Sequence, residues 1–275
     1  MTKRESTKSV ALAPPVEGLG RLEITYSEQV ARINLNRPEC HNALIPELIS
    51  ELHQALDLIA KKEEIQFVVL SGNGRSFCAG ADLNWFSGEE ELSLEESSAS
   101  YKQLADLLLK IWQLPQITIA LVHGNVFGGG IGLMAACDFV LADANTRFMF
   151  SEVKLGLLPA TILPFVAKRL SVQSLRKWIL TGELFAVNEA HQAGLVDVIY
   201  EDGLMERTLL EFMTSFVAAS PSAIKKAKQL INEVASGKIS VVDTERTSGI
   251  LAEALSSPDG QEGIRAFLEK RKKPL

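Results

Sequence analysis

Hydrophobic and polar residues alternate in two segments near the amino terminus, and this pattern predicts a β-hairpin. The segments are RLEITY and QVARINL, and only Ser27 and Glu28 separate them. Farther along, apolar residues recur every three or four positions from Ile45 to Ile59, which predicts a helix with one buried face. Asn42 lies just before this helix and is a plausible N-cap, because its side-chain oxygen could accept a hydrogen bond from a free helical amide.

Short apolar runs alternate with helical patterns up to about residue 160, and this alternation predicts an α/β core. The runs FVVLSG, ITIALV, FVLA and RFMF have the length of strands, and the acidic segment SGEEELSLEESSAS should begin as a mobile loop before a helix over YKQLADLLLKIWQL. Helical patterns dominate afterwards, where Ser-Pro pairs begin at Ser220 and Ser257. We therefore predict a flexible lead-in over residues 1–19, the core over 20–200 and a helical region over 201–275.

Composition and charge narrow the class of protein. The chain has 275 residues, of which 47% are hydrophobic and 23% charged, as in an ordinary globular protein. Its net charge of −6 argues against nucleic-acid binding and against a basic membrane-binding face. The longest apolar stretch, residues 155–167, contains two prolines and is shorter than the roughly 20 residues of a spanning helix.

The expected location is the cytoplasm. The three cysteines are far apart and form no CxxC pair, so neither a disulfide framework nor a zinc site is predicted. The apolar patch VALAPP in the lead-in is too short for a secretory signal, although a short transit sequence remains an alternative.

The stretch HGNVFGGGIGLMAACD, residues 123–138, contains five glycines directly after the strand-like run ITIALV. Glycine is unfavourable inside a helix or strand, so this density needs a physical reason. Gly130, Gly132 and Ala135 fit the dinucleotide pattern GxGxxA, and Glu152 follows at about the expected distance. However, seven residues separate the strand from Gly130, whereas a dinucleotide-binding glycine follows its strand almost at once.

Other common sites lack their motifs. The sequence contains no GxxxxGK[ST], HExxH or GxSxG, and its four histidines show no metal-ligand spacing. No metal site is therefore predicted. Cys78 lies in the glycine-rich loop SGNGRSFCAGADL, where a packed, inert thiol is the simpler interpretation.

The loop CAGADL and the glycine stretch resemble each other, since both follow short buried strands and both could begin a helix. Free backbone N–H groups point outward at a helix start. Two such groups converging on one point would form an oxyanion hole. Tight packing of two turns explains the same residues equally well at this level.

The sequence resembles the enoyl-CoA hydratase/isomerase (crotonase) superfamily. The motifs that carry the resemblance, in chain order, are NRPECHNAL, SGNGRSFCAGADL, HGNVFGGGIGLMAACD, FMFSEVKLGLLPA and AHQAGLVDVIY. AGADLNWF and SEVKLGLLPATILPFV are most similar to bacterial methylglutaconyl-CoA and carboxygeranoyl-CoA hydratases. The resemblance implies a spiral of ββα units followed by a helical trimerisation region, and hence a homotrimer or a hexamer built as a dimer of trimers.

The resemblance also implies a catalytic site. The N–H groups of Ala81 and Gly129 would hold the thioester oxygen, and Glu152 would act as acid and base. Hydratases of the family commonly have a second glutamate, but the matching position here is Gly132. Burial among apolar neighbours should raise the pKa of Glu152.

The implied ligand is an acyl-CoA, with coenzyme A as part of the substrate and no further cofactor. The loop 78–83 would border the adenine, the segment LLPATILPFVA would form the acyl wall, and the basic tail would meet the phosphates unless it is simply solvated. The implied substrate-binding residues are Cys78, Ala79, Asp82, Leu83, Gly128, Gly132, Leu157, Pro159 and Lys270. Lys154, Arg147 and Arg75 are alternative partners for a distal substrate carboxylate.

We therefore predict a lyase that adds water to a 2-enoyl-CoA, with methylglutaconyl-CoA of leucine or isoprenoid catabolism as the substrate suggested by the finer resemblance. Fatty acid catabolism is the broader setting. A lone glutamate also fits an isomerase that moves a double bond from the 3- to the 2-position. A catalytically silent acyl-CoA-binding assembly partner is the third alternative.

Overall fold

The computed structural model describes residues 20–87, 93–235, 241–269 and 271. The predicted lead-in, the start of the acidic segment and Lys270 lie outside these residues. The chain divides into two compact units, Met1–Met205 and Glu206–Leu275. Among the described residues, no helix is long and apolar enough to cross a membrane.

The first unit contains a six-stranded sheet whose order is β1-β2-β3-β4-β6-β9. Its strands are β1 Leu22–Ser27, β2 Val30–Leu35, β3 Phe67–Gly72, β4 Ile117–Val122, β6 Phe139–Asp143 and β9 Val198–Tyr200. The remaining strands, β5 Asn125–Phe127, β7 Arg147–Met149 and β8 Phe185–Ala186, form a three-stranded sheet of order β5-β7-β8. The predicted hairpin is confirmed, because β1 and β2 pair antiparallel with Ile24 opposite Ile33.

The parallel pairing of β2, β3, β4 and β6 positions the functional loops. Parallel strands end at the same edge of a sheet, where ligands of α/β proteins commonly bind. The segments after β2, β3 and β4 therefore all leave the sheet on one side. These are the segments that contain NRPECHNAL, CAGADL and the glycine stretch.

The helices of the first unit are α1 Pro46–Ala60, α2 Leu83–Ser87, α3 Leu94–Gln113, α4 Gly129–Ala136, α5 Leu163–Val166, α6 Val172–Thr181 and α7 Val187–Gln192. Two 3-10 helices cover Pro38–Cys40 and Glu152–Leu155. The predicted amphipathic helix is confirmed as α1, which buries its apolar face. The mixed α/β class predicted from the sequence is also confirmed.

Helix α8, Met205–Thr214, spans the division between the units, and the second unit continues with α9 Pro221–Val234, α10 Val241–Ser256 and α11 Pro258–Leu268. Both predicted Ser-Pro starts are confirmed. The Ser220 hydroxyl accepts a hydrogen bond from the Ala223 amide, and the Ser257 hydroxyl accepts one from the Gly260 amide.

Two helix starts differ from the prediction. Asn42 is not an N-cap, because α1 begins at Pro46 and the Asn42 side chain is bonded elsewhere. Helix α3 begins at Leu94, seven residues before the predicted start at Tyr101. A capping box explains the earlier start, since Ser93 accepts a hydrogen bond from the Glu96 amide while the Glu96 carboxylate accepts one from Ser93.

Candidate active site

The glycine stretch contains strand β5, a turn at Gly128 and helix α4. Gly128 has a φ of 44°, a left-handed conformation that favours glycine, and its amide donates to the Met149 carbonyl. Gly129 is the first residue of α4, where an N–H group has no acceptor inside the helix. Within the described residues, no hydrogen bond uses the Gly129 amide.

The second loop presents the amide of Ala81. Leu44 forms a bridge opposite Ala81: its N–H donates to Gly80 at 2.7 Å, and its carbonyl accepts from the Asp82 amide at 2.9 Å. Successive amides in an extended segment point in opposite directions, so the Ala81 N–H is directed away from Leu44. Like the Gly129 amide, it makes no hydrogen bond in the described part of the chain.

The two free amides lie close together. A Cβ atom placed on Gly129 would lie 3.9 Å from the Ala81 nitrogen, and one placed on Gly80 would lie 3.6 Å from the Gly129 nitrogen. That Cβ on Gly80 would also lie 2.9 Å from the Phe127 carbonyl oxygen, so a larger residue would push the loops apart. Two unbonded N–H donors from adjacent loops are the arrangement required for an oxyanion hole.

Glu152 lies beside the same turn. It begins the 3-10 helix Glu152–Leu155, and a Cβ placed on Gly128 would lie 3.0 Å from its Oε1 atom. Its Oε2 atom is buried and has no hydrogen-bond partner within the described structure. Desolvation by burial raises the pKa of this carboxyl, while its own backbone amide acts in the opposite direction. The site therefore contains a half-buried carboxyl with one buried, unbonded oxygen, next to two free N–H donors.

The raised pKa of Glu152 predicts a pH-dependent effect on stability. A carboxyl with a higher pKa in the folded than in the unfolded state stabilises the protein at low pH, and this contribution is lost as the pH rises through the folded value. Glu152→Gln removes the buried charge, so its melting temperature should rise relative to wild type as pH increases from 4 to 8. Melting curves across this range test it, and a difference that is independent of pH would contradict the burial argument.

The remaining glycines have a packing role. Gly130 and Gly132 lie inside α4, where a Cβ would meet the Cys78 carbonyl oxygen and the Ile162 side chain, respectively, each at 2.3 Å. Both glycines are buried where α4 packs against other segments of the chain, and they do not line a phosphate-binding turn. The dinucleotide interpretation is therefore wrong, because its pattern falls on packing glycines.

A Gly132→Ala substitution tests this packing. The added methyl group collides with Ile162, and overpacking of this kind typically lowers the free energy of unfolding by about 1–3 kcal/mol. The loss should shrink in an Ile162→Ala background, which removes the colliding Cγ2 atom. Chemical denaturation of the four proteins measures the coupling, and an equal loss in both backgrounds would argue against the contact.

The other predicted substrate-binding residues differ in exposure. Leu83 is exposed, Ala79 and Asp82 are half-buried, and the Asp82 carboxylate pairs with Arg37 and accepts hydrogen bonds from Asn84. Cys78 is 0% exposed, and burial raises the pKa of its thiol to about 12. The thiol is therefore packed inside the protein, in agreement with the interpretation of an inert side chain, and a substrate contact at Cys78 stays a prediction.

Gly132 is likewise buried beneath Ile162, so the structure does not support the predicted substrate contact there. Leu157 is 40% exposed and its amide donates to the Glu152 carbonyl, whereas Pro159 is buried. In the basic tail, Lys270 lies outside the described residues, and Arg271 forms ion pairs with Glu262 and Glu269.

Sequence reasoning missed the residues that hold the two loops in place. Leu44 directs the Ala81 amide, and Ile162 occupies the space beside Gly132. The only sequence signal for Leu44 was its place in the motif NRPECHNAL, and nothing in the pattern paired Ile162 with Gly132. No group of three or more His, Cys, Asp or Glu side chains suited to a metal was found among the described residues.

Comparison with known proteins decides the family. The family model for enoyl-CoA hydratase/isomerase matches residues 25–275. The chain belongs to the enoyl-CoA hydratase/isomerase family. The predicted superfamily and its crotonase-like fold are thereby confirmed, while the finer resemblance to methylglutaconyl-CoA and carboxygeranoyl-CoA hydratases stays a prediction.

Individual members of the enoyl-CoA hydratase/isomerase family align with most of this chain. A putative enoyl-CoA hydratase of Thermus thermophilus is 33% identical over 243 residues, which are 88% of this chain and 95% of the relative. The 2,3-dehydroadipyl-CoA hydratase of Escherichia coli is 32% identical over 263 residues, 92% of this chain and 97% of the relative. The crystal structure of an enoyl-CoA hydratase from Shewanella pealeana matches with a TM-score of 0.89 and 33% identity, covering 94% of this chain and 97% of its own.

Proposed function

We propose that this family member is a lyase that adds water to the double bond of a 2-enoyl-CoA, with Glu152 as the only carboxyl acid and base. The observation that carries the proposal is the unpaired Oε2 atom of Glu152 beside the turn that presents the Gly129 amide. A buried carboxyl oxygen without a hydrogen-bond partner is unfavourable, and carboxyls in such surroundings are common at functional sites. The two free amides next to it are suited to the oxygen of a thioester.

In the proposed reaction, the Glu152 carboxylate takes a proton from water while the water oxygen attacks C3. The electrons of the C2–C3 double bond move to the thioester, and the resulting enolate oxygen accepts hydrogen bonds from Ala81 and Gly129. Each such donor typically stabilises the transition state by about 3 kcal/mol. The protonated Glu152 then returns its proton to C2, which restores the carboxylate and completes the addition of water.

A specific observation also favours an isomerase. Gly132 provides no second carboxyl, and Ile162 fills the adjacent space. Moving a double bond from the 3- to the 2-position needs only one base that carries the proton from C2 to C4, so Glu152 alone would suffice. This reaction is the second candidate function.

A panel of acyl-CoA thioesters in ¹⁸O-labelled water separates the candidates. Uptake of ¹⁸O by a 2-enoyl-CoA supports hydration, and its absence together with turnover of a 3-enoyl-CoA supports isomerisation. Tight binding of CoA thioesters without turnover of either type would favour the silent assembly partner. The panel should include methylglutaconyl-CoA, 2,3-dehydroadipyl-CoA and crotonyl-CoA.

The acyl group proposed first is methylglutaconyl, which has a distal carboxylate. The E. coli relative is named for a substrate with a distal carboxylate as well. Lys154, Arg147 and Arg75 are exposed, and they are the candidate partners for such a group. Each of the three residues is replaced singly with methionine. The variant that loses turnover of methylglutaconyl-CoA and 2,3-dehydroadipyl-CoA, but keeps turnover of crotonyl-CoA, identifies the partner of the distal carboxylate.

We further propose a homotrimer or a dimer of trimers in the cytoplasm, with no nucleic-acid or membrane partner and no cofactor apart from the coenzyme A of the substrate. The mainly helical second unit supports an assembly role for that region. Light scattering should give a mass of three or six times 30.0 kDa.

A further inference from the structure

The loop that presents the Ala81 amide is held from one side by the segment after strand β2. Asn42 is at the centre of this contact. It is 0% exposed and has a φ of 55°, a left-handed conformation that residues other than glycine adopt infrequently. Asn42 is therefore a buried polar residue in a left-handed conformation that asparagine adopts more readily than most residues, although it does not cap a helix.

The Asn42 amide group makes three hydrogen bonds. Its Oδ1 accepts from the Arg37 amide at 2.8 Å, within its own segment. Its Nδ2 donates to the Asn73 carbonyl at 2.9 Å and to the Ser76 carbonyl at 2.8 Å, both in the loop that follows strand β3. Both N–H donors of the amide are thus used to join the two segments.

Backbone hydrogen bonds continue this contact toward the site. The Ala79 amide donates to the His41 carbonyl at 3.0 Å, and Leu44 pairs with Gly80 and Asp82. The Arg37 guanidinium adds an ion pair to the Asp82 carboxylate at 3.5 Å. The residues on both sides of Ala81 are therefore fixed, while its own N–H is left unbonded.

We infer that Asn42 is a positioning residue for the oxyanion hole, because its side chain sets the distance between the segment after β2 and the loop that carries Ala81. The inference rests on the proposed function of that loop. Asn42 does not touch the substrate. It acts through Leu44, whose two hydrogen bonds determine the direction of the Ala81 amide.

Asn42→Asp tests this inference, because aspartate has the same shape and keeps the acceptor for Arg37. It replaces the two donors with an oxygen that faces the Asn73 and Ser76 carbonyls, so the loops should separate. A displacement on the order of 1 Å at a reacting group can reduce the rate by about 10²-fold. We expect a fall in kcat of this order.

Gln116→Glu is the matched control. Gln116 is 1% exposed, and its side-chain amide donates to the carbonyls of Ile59 and Lys62. The change from amide to carboxyl is the same, but Gln116 lies just before β4, at the opposite end of that strand from the glycine stretch. This variant should lose stability while keeping kcat.

A readout that does not depend on turnover is the absorption of bound dimethylaminocinnamoyl-CoA, which shifts to longer wavelength when its thioester carbonyl is polarised. Wild type and Gln116→Glu should show the shift, whereas Asn42→Asp should bind the thioester with a reduced shift. An unchanged shift and kcat in Asn42→Asp, or equal losses in both variants, would overturn the inference. The inference would also be overturned if the wild-type protein did not shift the absorption of the bound thioester. If wild type shifts the absorption but does not hydrate a 2-enoyl-CoA, only the proposed reaction is refuted.

Discussion

Replacing Glu152 with glutamine is expected to lower kcat for hydration of a 2-enoyl-CoA by about 10⁴-fold, the upper part of the range for general acid–base catalysis. The large effect follows because one carboxyl both removes the proton from water and returns it to C2. Glutamine has nearly the same shape, so the turn at Gly128 should keep its structure. Steady-state kinetics with the thioester that wild type turns over best measure the loss.

The affinity for CoA, measured by calorimetry, is the control for this experiment. It should be unchanged, because Glu152 lies beside Gly128 and the proposed reacting carbon atoms, whereas the CoA contacts are expected elsewhere. Hydration at the wild-type rate by Glu152→Gln would show that another group carries the proton.

Ala81→Pro should lower kcat by about 10²–10³-fold, because proline has no N–H and one of the two oxyanion donors is lost. The Ala81 amide makes no hydrogen bond in the described part of the chain, so the substitution removes no internal bond. Measuring kcat with the same thioester and the melting temperature of the variant separates loss of catalysis from loss of folded structure.

Ala81→Gly is the matched control, since it changes the same residue but keeps the amide. Its kcat should stay within a few-fold of wild type. If glycine reduced kcat as strongly as proline, the effect would come from loop conformation and the N–H group would not be the cause.

Much of the fold follows from local patterns in the sequence. Alternation in RLEITY and QVARINL predicts the hairpin, and helical spacing predicts α1, because each pattern places apolar side chains on one face. Helix α3 starts earlier than the apolar spacing predicts, because the capping box at Ser93 precedes the apolar periodicity by several residues. Local sequence alone does not predict the role of Asn42, because its hydrogen-bond partners Asn73 and Ser76 are distant in sequence.

The candidate site shows the same limit. Spacing along the chain cannot separate a glycine that exposes an amide, Gly129, from glycines that allow close packing, Gly130 and Gly132. That distinction depends on which segment lies against each residue. The convergence of Ala81 with Gly129 could be suggested from two similar loops, but only the parallel order of the strands brings those loops to one edge.

The stereochemistry of addition tests the central claim most directly. If Glu152 alone handles both protons, water and the C2 proton must arrive on the same face of the double bond. Hydration in deuterated water, followed by NMR of the product, should therefore show syn addition with deuterium at C2, and Glu152→Gln should yield almost no product. Anti addition would require a second group on the opposite face and would contradict a single-carboxyl mechanism.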